Sequence, residues 1–172
     1  DQGAVIIGIS DVSGGVTSPE GIDVAAALAY VAANGVIKGM PGYESITAEG
    51  VLELPCDILI PAALQNQIHE GNATKIKAKI VVEGANGPTT PAAEDILRRN
   101  GIVVLPDIAA NAGGTVVSYF EMVQNLYGYD WTEEEVMTRL EAVMRGTCRN
   151  IYRLAGEKGI SMRSAAWGVA VN

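Results

Sequence analysis

The sequence has few of the residues that metal sites and nucleophilic active sites use. Its 172 residues include two cysteines and one histidine, and no set of Cys, His, Asp and Glu has metal-ligand spacing. Cys56 and Cys148 share no motif, which favours reduced thiols in a cytoplasmic protein. The single histidine, His69, is expected on the surface. With no G-x-S-x-G turn present, the sequence also argues against a serine hydrolase.

Basic residues and long apolar runs are scarce as well. Lys and Arg number 12 against 20 Asp and Glu, and the net charge is −8. No Lys/Arg cluster is present, which argues against a nucleic acid partner. The apolar stretch Val24 to Ala33 is too short to span a bilayer, and no secretory signal precedes it. We therefore expect no membrane association.

The sequence is rich in apolar residues and in glycine. Apolar residues make up 48% of the chain, enough for a substantial core and typical of one domain. The 20 glycines fall mostly between periodic segments, which is typical of α/β units. Four short apolar runs predict buried strands: Val5 to Ser10, Cys56 to Ile60, Lys79 to Glu83 and Ile102 to Leu105.

Helix signals separate these strands and fill the remainder of the chain. Asp23 and Thr90 are predicted N-caps, Thr132 with Glu135 forms a capping box, and Ser161 opens a last helix running toward Asn172. Further helices are predicted after Thr47, over Gln67 to Gly71, and from near Gly114. The alternation predicts a parallel sheet built of βαβ units in residues 1–110, followed by a helical segment in residues 111–172.

Ligands of such sheets bind outside the carboxyl ends of the strands. The segments predicted to meet there are Asp11, Pro61 to Ala63, Gly84 to Asn86 and Asp107 to Gly114. Asp11 could accept hydrogen bonds from a ribose, or it could close its own Asx-turn. The small side chains of Ala62 and Ala63 would permit close approach of a ligand.

Three polar residues in these segments have both a structural and a functional interpretation. Asn86 and Asn111 could bind a ligand amide or ribose, or they could adopt left-handed turn geometry. Ser118 could bond the preceding helical turn, or it could bind a carboxylate near the positive end of the helix.

The combination of motifs resembles a known family. SDVSGG, DILIPAALQNQI, KIVVEGANGPTTPAAEDIL, LPDIAANAGGTVVSYFE and MRSAAWGVA are similar, in order and over essentially the whole chain, to the nucleotide-binding domain of glutamate dehydrogenases. These enzymes belong to the Glu/Leu/Phe/Val dehydrogenase superfamily. The resemblance implies a Rossmann-like, doubly wound parallel sheet that binds NAD or NADP.

The resemblance also implies roles for individual residues. Asp11 would lie near the adenosine ribose, and Ala62 and Ala63 would line the dinucleotide groove. Asn86 would approach the nicotinamide ribose, and Asn111 the nicotinamide carboxamide. Thr115 and Ser118 would bind the side-chain carboxylate of L-glutamate or 2-oxoglutarate. Because Asp11 would repel a 2′-phosphate, we expect NAD rather than NADP.

The sequence departs from the family at its beginning. The glycine-rich turn of the family, with the first strand and helix of the fold, would precede Asp1, as would the substrate domain with the catalytic lysine and aspartate. We therefore expect a part of a longer polypeptide that is inactive alone, contains no catalytic residue, and forms a homo-hexamer at full length. The alternatives are a non-catalytic nucleotide-sensing or interaction module and a dehydrogenase of another amino acid.

Overall fold

The computed structural model describes residues 3–171. The chain groups into two compact units, and each is described by itself. The first contains the residues up to Leu59 together with Thr74–Lys79, and the second contains Ile60–Ala73 and the residues from Ile80 onward. The single domain expected over residues 1–172 stays a prediction. No helix within residues 3–171 has both the length and the apolar character needed to cross a membrane.

The first unit is built on an antiparallel sheet. Strands β1 (Gly8–Asp11), β2 (Gly14–Thr17) and β3 (Glu44–Ile46) lie in that order, and each neighbouring pair is antiparallel. The expectation that the first strand belongs to the parallel sheet is therefore wrong. Only two residues connect β1 to β2, and so short a connection reverses the chain, whereas a parallel pair needs a long crossover.

Two capped helices and a short strand also lie in this unit. Helix α1 (Val24–Asn34) begins after the predicted cap Asp23, and α2 (Ala48–Leu52) begins after Thr47. Strand β4 covers Ile58–Leu59. Helix α2 lies against the sheet at a glycine: a Cβ on Gly15 would come 2.5 Å from Val51 Cγ2. The buried core consists of Val16, Ile22, Ala27, Ile37 and Met40.

The second unit contains a parallel β–α–β arrangement. Strands β5 (Ile80–Val82) and β6 (Val103–Leu105) are parallel, and α3 (Pro91–Arg99) connects them. The cap is the predicted one, since Thr90 Oγ1 accepts a hydrogen bond of 3.2 Å from the Ala93 amide. The α/β class with a parallel sheet is confirmed.

The helix predicted over Gln67 to Gly71 is wrong. The Ile68 amide donates to the Pro88 carbonyl, and the Thr90 amide donates to the Ile68 carbonyl, both at 2.9 Å. The backbone of Ile68 thus forms a bridge with the strand-like segment at Thr89. A short 3-10 turn, Ala73–Lys75, follows instead.

Within residues 3–171, four helices follow β6. They are α4 (Asp107–Ala110), α5 (Gly113–Tyr127), α6 (Glu133–Lys158) and α7 (Met162–Ala170). The capping box predicted before α6 is present. The predicted end of the last helix at Asn172 lies outside the described residues, and α7 ends at Ala170. Helices α4, α6 and α7 share an alanine-rich core formed by Ala109, Ile151, Ala155, Ala165 and Ala166.

Candidate functional site

A cleft of about 1050 Å³ opens in the second unit. It lies where the loops after β5 and β6 meet the segment 63–65, so three of the four predicted rim segments come together. The lining residues are Ala63, Leu64, Gln65, Gly84, Ala85, Asn86, Asn111, Gly114, Thr115 and Ser118. Clefts of this size and position commonly hold small-molecule ligands and cofactors.

The backbone at one side of the cleft is held in place by hydrogen bonds. The amides of Gly84 and Ala85 both donate to the Pro61 carbonyl, at 3.1 and 3.0 Å. Ala62 does not line the cleft but lies directly behind it: a Cβ on Gly84 would come 3.1 Å from Ala62 Cβ. A larger residue at either position would separate the two loops. Here the small residues serve close backbone approach.

Asn86 and Asn111, both in the lining of the cleft, form a side-chain pair. Asn111 Nδ2 donates to Asn86 Oδ1 at 2.8 Å. Among residues 3–171 the non-glycine residue with a positive φ is Asn66, so neither member of the pair uses left-handed geometry. Asn86 Nδ2 and Asn111 Oδ1 make no hydrogen bond with other described residues. One amide donor and one amide acceptor therefore stay available for a ligand.

One face of α5 and its preceding turn completes the cleft. Asn111, Gly114, Thr115 and Ser118 are spaced at i, i+3, i+4 and i+7, which places them on the same side of a helix. Thr115 and Ser118 are both exposed. Within the described part of the chain the Ser118 hydroxyl has no hydrogen-bond partner, so it does not bond the preceding turn. The first-turn amides of α5 also favour negative charge.

A buried ion cluster beside the cleft was not foreseen from the sequence. Arg163, on α7, contacts three carboxylates: Nη2 lies 2.7 Å from Glu83 Oε2, Nε lies 2.6 Å from Glu94 Oε2, and Nη1 lies 2.9 Å from Asp107 Oδ1. Glu83 is fully buried. Burial opposes the charge of Arg163, but the carboxylates of Glu94 and Glu83 outweigh it and raise the pKa of the guanidinium.

The same cluster joins the two loops that hold the asparagines. Glu83 Oε2 accepts from the Asp107 amide, and Asp107 Oδ2 accepts from the Gly87 amide, both at 2.8 Å. Burial alone would raise the pKa of Asp107, but the Gly87 and Ile108 amides and Arg163 together lower it. The available signal was a lone arginine in the apolar stretch MRSAAWGVA, with one carboxylate, Glu83, ending a predicted strand and another, Asp107, two residues after the next predicted strand.

Asp11 belongs to the first unit, and its carboxylate is bound locally. Oδ1 accepts from the Ser13 amide at 2.7 Å and from the Ser13 hydroxyl, while Oδ2 accepts from the Ile37 amide at 2.7 Å. The Ser13 hydroxyl is the main cause of the lowered pKa of this carboxyl. The Asx-turn alternative is present. That the Asp11 carboxylate also accepts a hydrogen bond from a ribose stays a prediction.

The fold and the cleft define a class of protein, and comparison with known proteins gives the family. The chain is an α/β protein whose parallel sheet and helices are similar to those of solved glutamate dehydrogenases. It belongs to the Glutamate/Leucine/Phenylalanine/Valine dehydrogenase family, whose model matches residues 1–172.

The individual relatives are glutamate dehydrogenases. The chain is 48% identical to the glutamate dehydrogenase of Thermotoga maritima over 172 residues, which is 100% of this chain and 41% of that protein. It is also 48% identical, over 171 residues, to the cryptic catabolic NAD-specific glutamate dehydrogenase GudB of Bacillus subtilis, covering 99% of this chain and 40% of that protein. The chain thus spans about two fifths of the length of these relatives.

A solved structure agrees with these relatives. The hetero-hexameric glutamate dehydrogenase from Thermus thermophilus, in its Leu-bound form, superposes with a TM-score of 0.86 at 31% identity. The match covers 94% of this chain and 38% of that chain.

Proposed function

We propose that this chain is the coenzyme-binding part of a glutamate dehydrogenase, and that the cleft holds the nicotinamide end of the coenzyme. The observation that carries the proposal is the Asn86–Asn111 pair, with its 2.8 Å hydrogen bond and its two unused amide groups. Asn111 Oδ1 would accept from the nicotinamide carboxamide, and Asn86 Nδ2 would donate to the nicotinamide ribose. Ala63 and Gly84 would let the dinucleotide approach the backbone, next to Ala62.

The face of α5 that lines the cleft suits an acidic metabolite. The hydroxyls of Thr115 and Ser118 are exposed on one face of α5, in its first and second turns. Hydroxyl donors and first-turn amides together would bind the side-chain carboxylate of L-glutamate or 2-oxoglutarate. Glutamate, NAD⁺ and water would give 2-oxoglutarate, ammonium, NADH and a proton, with hydride passing from the glutamate α-carbon to the nicotinamide.

The residues lining the cleft bind and orient but do not transfer protons. Its polar members are amides and hydroxyls, and none of the lining residues is titratable near neutral pH. Proton transfer to and from the amine and the water would come from a substrate domain, as the family resemblance implies. The chain alone should therefore bind coenzyme without turning glutamate over, and a homo-hexamer would form only with that domain.

NAD is the proposed coenzyme. The relative GudB is named NAD-specific, and the Asp11 carboxylate would repel the 2′-phosphate of NADP if the ribose bound beside it. With its pKa lowered, Asp11 stays ionised at neutral pH.

A hybrid enzyme tests the function. The matched 41% of the Thermotoga maritima enzyme is replaced by this chain, assembly is checked by size-exclusion chromatography, and NADH formation is followed with glutamate and, separately, with leucine, phenylalanine and valine. We expect turnover with glutamate. A correctly assembled hybrid that binds NADH but oxidises no amino acid would instead support a nucleotide-sensing module, and preference for another amino acid would overturn the substrate assignment.

A further inference from the structure

Arg163 connects parts of the second unit that are far apart in sequence. Its guanidinium lies within 2.9 Å of carboxylate oxygens of Glu83, Glu94 and Asp107, which are 80, 69 and 56 residues away. One guanidinium thus faces three carboxylates. Its side chain is 27% exposed, and it is not among the residues that line the cleft. Any influence on a bound ligand must therefore pass through other residues.

Two of these carboxylates lie at the bases of the loops that hold the asparagine pair. Glu83 directly precedes Gly84–Asn86, and Asp107 begins the short helix α4, which is followed by Asn111. The two loops are joined by hydrogen bonds: the Asp107 amide donates to Glu83, and the Gly87 amide donates to Asp107. The hydrogen bond from Asn111 to Asn86, on the side of the cleft, also joins the two loops.

The cluster has no substitute for Arg163. In residues 3–171, the salt bridges of Glu83, Glu94 and Asp107 are all made with this one cation. Glu83 Oε1 is already buried without a partner, so loss of Arg163 would leave a fully buried carboxylate with its charge uncompensated. The loops would then relax to admit water or a proton, and the asparagines at their tips would move with them.

We propose that Arg163 is a positioning residue that, through Glu83 and Asp107, holds Asn86 and Asn111 at hydrogen-bonding distance for the nicotinamide half of the coenzyme. The ligand part of this inference rests on the proposed function. The positioning part concerns only the protein and can be tested without coenzyme.

The first measurement uses the ¹⁵N-labelled chain without ligand. In Asn86→Ala the Asn111 side-chain amide has lost its 2.8 Å acceptor and keeps only a 3.5 Å contact with the Gly84 carbonyl, so its NMR resonances define the position of the broken pair. We expect Arg163→Met to shift these resonances most of the way toward that position and Arg163→Lys to shift them part of the way. Arg153→Met is the matched control, because Arg153 is exposed and, within residues 3–171, pairs only with Glu157. Unchanged Asn111 resonances in both Arg163 variants would overturn the proposal.

The second measurement compares NADH with ADP, which lacks both the nicotinamide and its ribose. We expect Arg163→Lys to weaken NADH binding about five- to tenfold while the affinity for ADP changes by less than about twofold, because only the nicotinamide half, which ADP lacks, meets the asparagine pair. Equal losses for both ligands would mean a general structural role and would overturn the proposal.

The outcomes separate the two proposals. A wild-type chain that binds neither ligand would count against the proposed function, while the Asn111 resonances would still decide the role of Arg163. If Arg163→Met does not fold, Arg163→Lys and Glu94→Gln give the answer. Glu94 lies on α3 rather than on either loop, so Glu94→Gln should leave the Asn111 resonances near their wild-type positions; a shift as large as that of Arg163→Lys would contradict the proposal.

Discussion

Asn111 Nδ2 lies 2.8 Å from Asn86 Oδ1, although 25 residues separate the two asparagines in sequence. Their backbones follow adjacent parallel strands, β6 and β5. The distance between the two side chains therefore shows directly whether the loops at the carboxyl ends of these strands keep their relative position. It also presents one donor and one acceptor to the cleft, which is the basis of the proposed function.

Removing either asparagine should weaken NADH binding, because each would make one hydrogen bond to the nicotinamide end. We expect Asn86→Ala and Asn111→Ala each to raise the Kd about two- to tenfold, measured by NADH fluorescence titration. The double variant should lose less than the sum of the two, since the residues are in contact. Asn150→Ala, at an exposed position on α6, is the control. Single variants that bind like the control would count against the pair as a ligand site.

Replacing Gly114 by alanine should weaken coenzyme binding without destabilising the fold. A Cβ would meet no atom within 4 Å at Gly114 on α5 or at Gly146 on α6, so alanine fits both helices. We expect both substitutions to raise the free energy of unfolding, by up to about 1 kcal/mol in urea titrations. Only Gly114→Ala should raise the Kd for NADH, because Gly114 lines the cleft. Equal binding by both variants would argue that the cleft is not the coenzyme site.

Ser118 should affect the acidic substrate and not the coenzyme. In the hybrid enzyme we expect Ser118→Ala to raise the KM for glutamate about fivefold, which corresponds to one lost hydrogen bond, with the KM for NAD⁺ unchanged. Ser45→Ala, at an exposed position on β3, is the control. If the KM for NAD⁺ rises instead, the proposed direction of Ser118 toward the substrate carboxylate is wrong.

Asp11 should contribute stability that depends on pH. Its folded-state pKa is lowered, chiefly by the Ser13 hydroxyl, so the ionised carboxylate stabilises the fold above about pH 4, and this stabilisation is lost as the pH falls through the folded-state pKa. Asp11→Asn should cost about 1 kcal/mol at pH 7 and less at pH 3 in urea unfolding. Asp130→Asn, at an exposed position, is the control. A cost that is independent of pH would contradict this assignment.

Local signals in the sequence predicted the elements that depend on neighbouring residues. Thr90 before Pro91 and Thr132 with Glu135 mark helix starts that the structure contains, because a cap satisfies its own helix within three residues. The loops of the cleft were also predictable, since strand ends determine where they lie. Strands β2 and β3 were missed because glycine pairs and a three-residue strand resemble turn sequences.

Longer-range relationships could not be predicted in the same way. The Gln67 to Gly71 segment has polar residues compatible with a helix, yet Ile68 is held in a bridge by residues 88–90. The parallel pairing expected of the first strand gave way to a hairpin whose turn is fixed by Asp11. The Arg163 cluster joins side chains up to 80 residues apart, and no local pattern encodes which carboxylates a lone arginine will meet.

The central claim is that the cleft binds the nicotinamide end of NAD, and a titration of the ¹⁵N-labelled chain with NADH tests it most directly. Among the residues in and next to the cleft, we predict saturable shifts of the side-chain amides of Asn86 and Asn111 and of the backbone amides of Gly84 and Gly114–Ser118. We also predict that NADPH binds more weakly than NADH. Absence of saturable shifts at these positions up to millimolar NADH, or saturation that Asn111→Ala leaves unchanged, would contradict it.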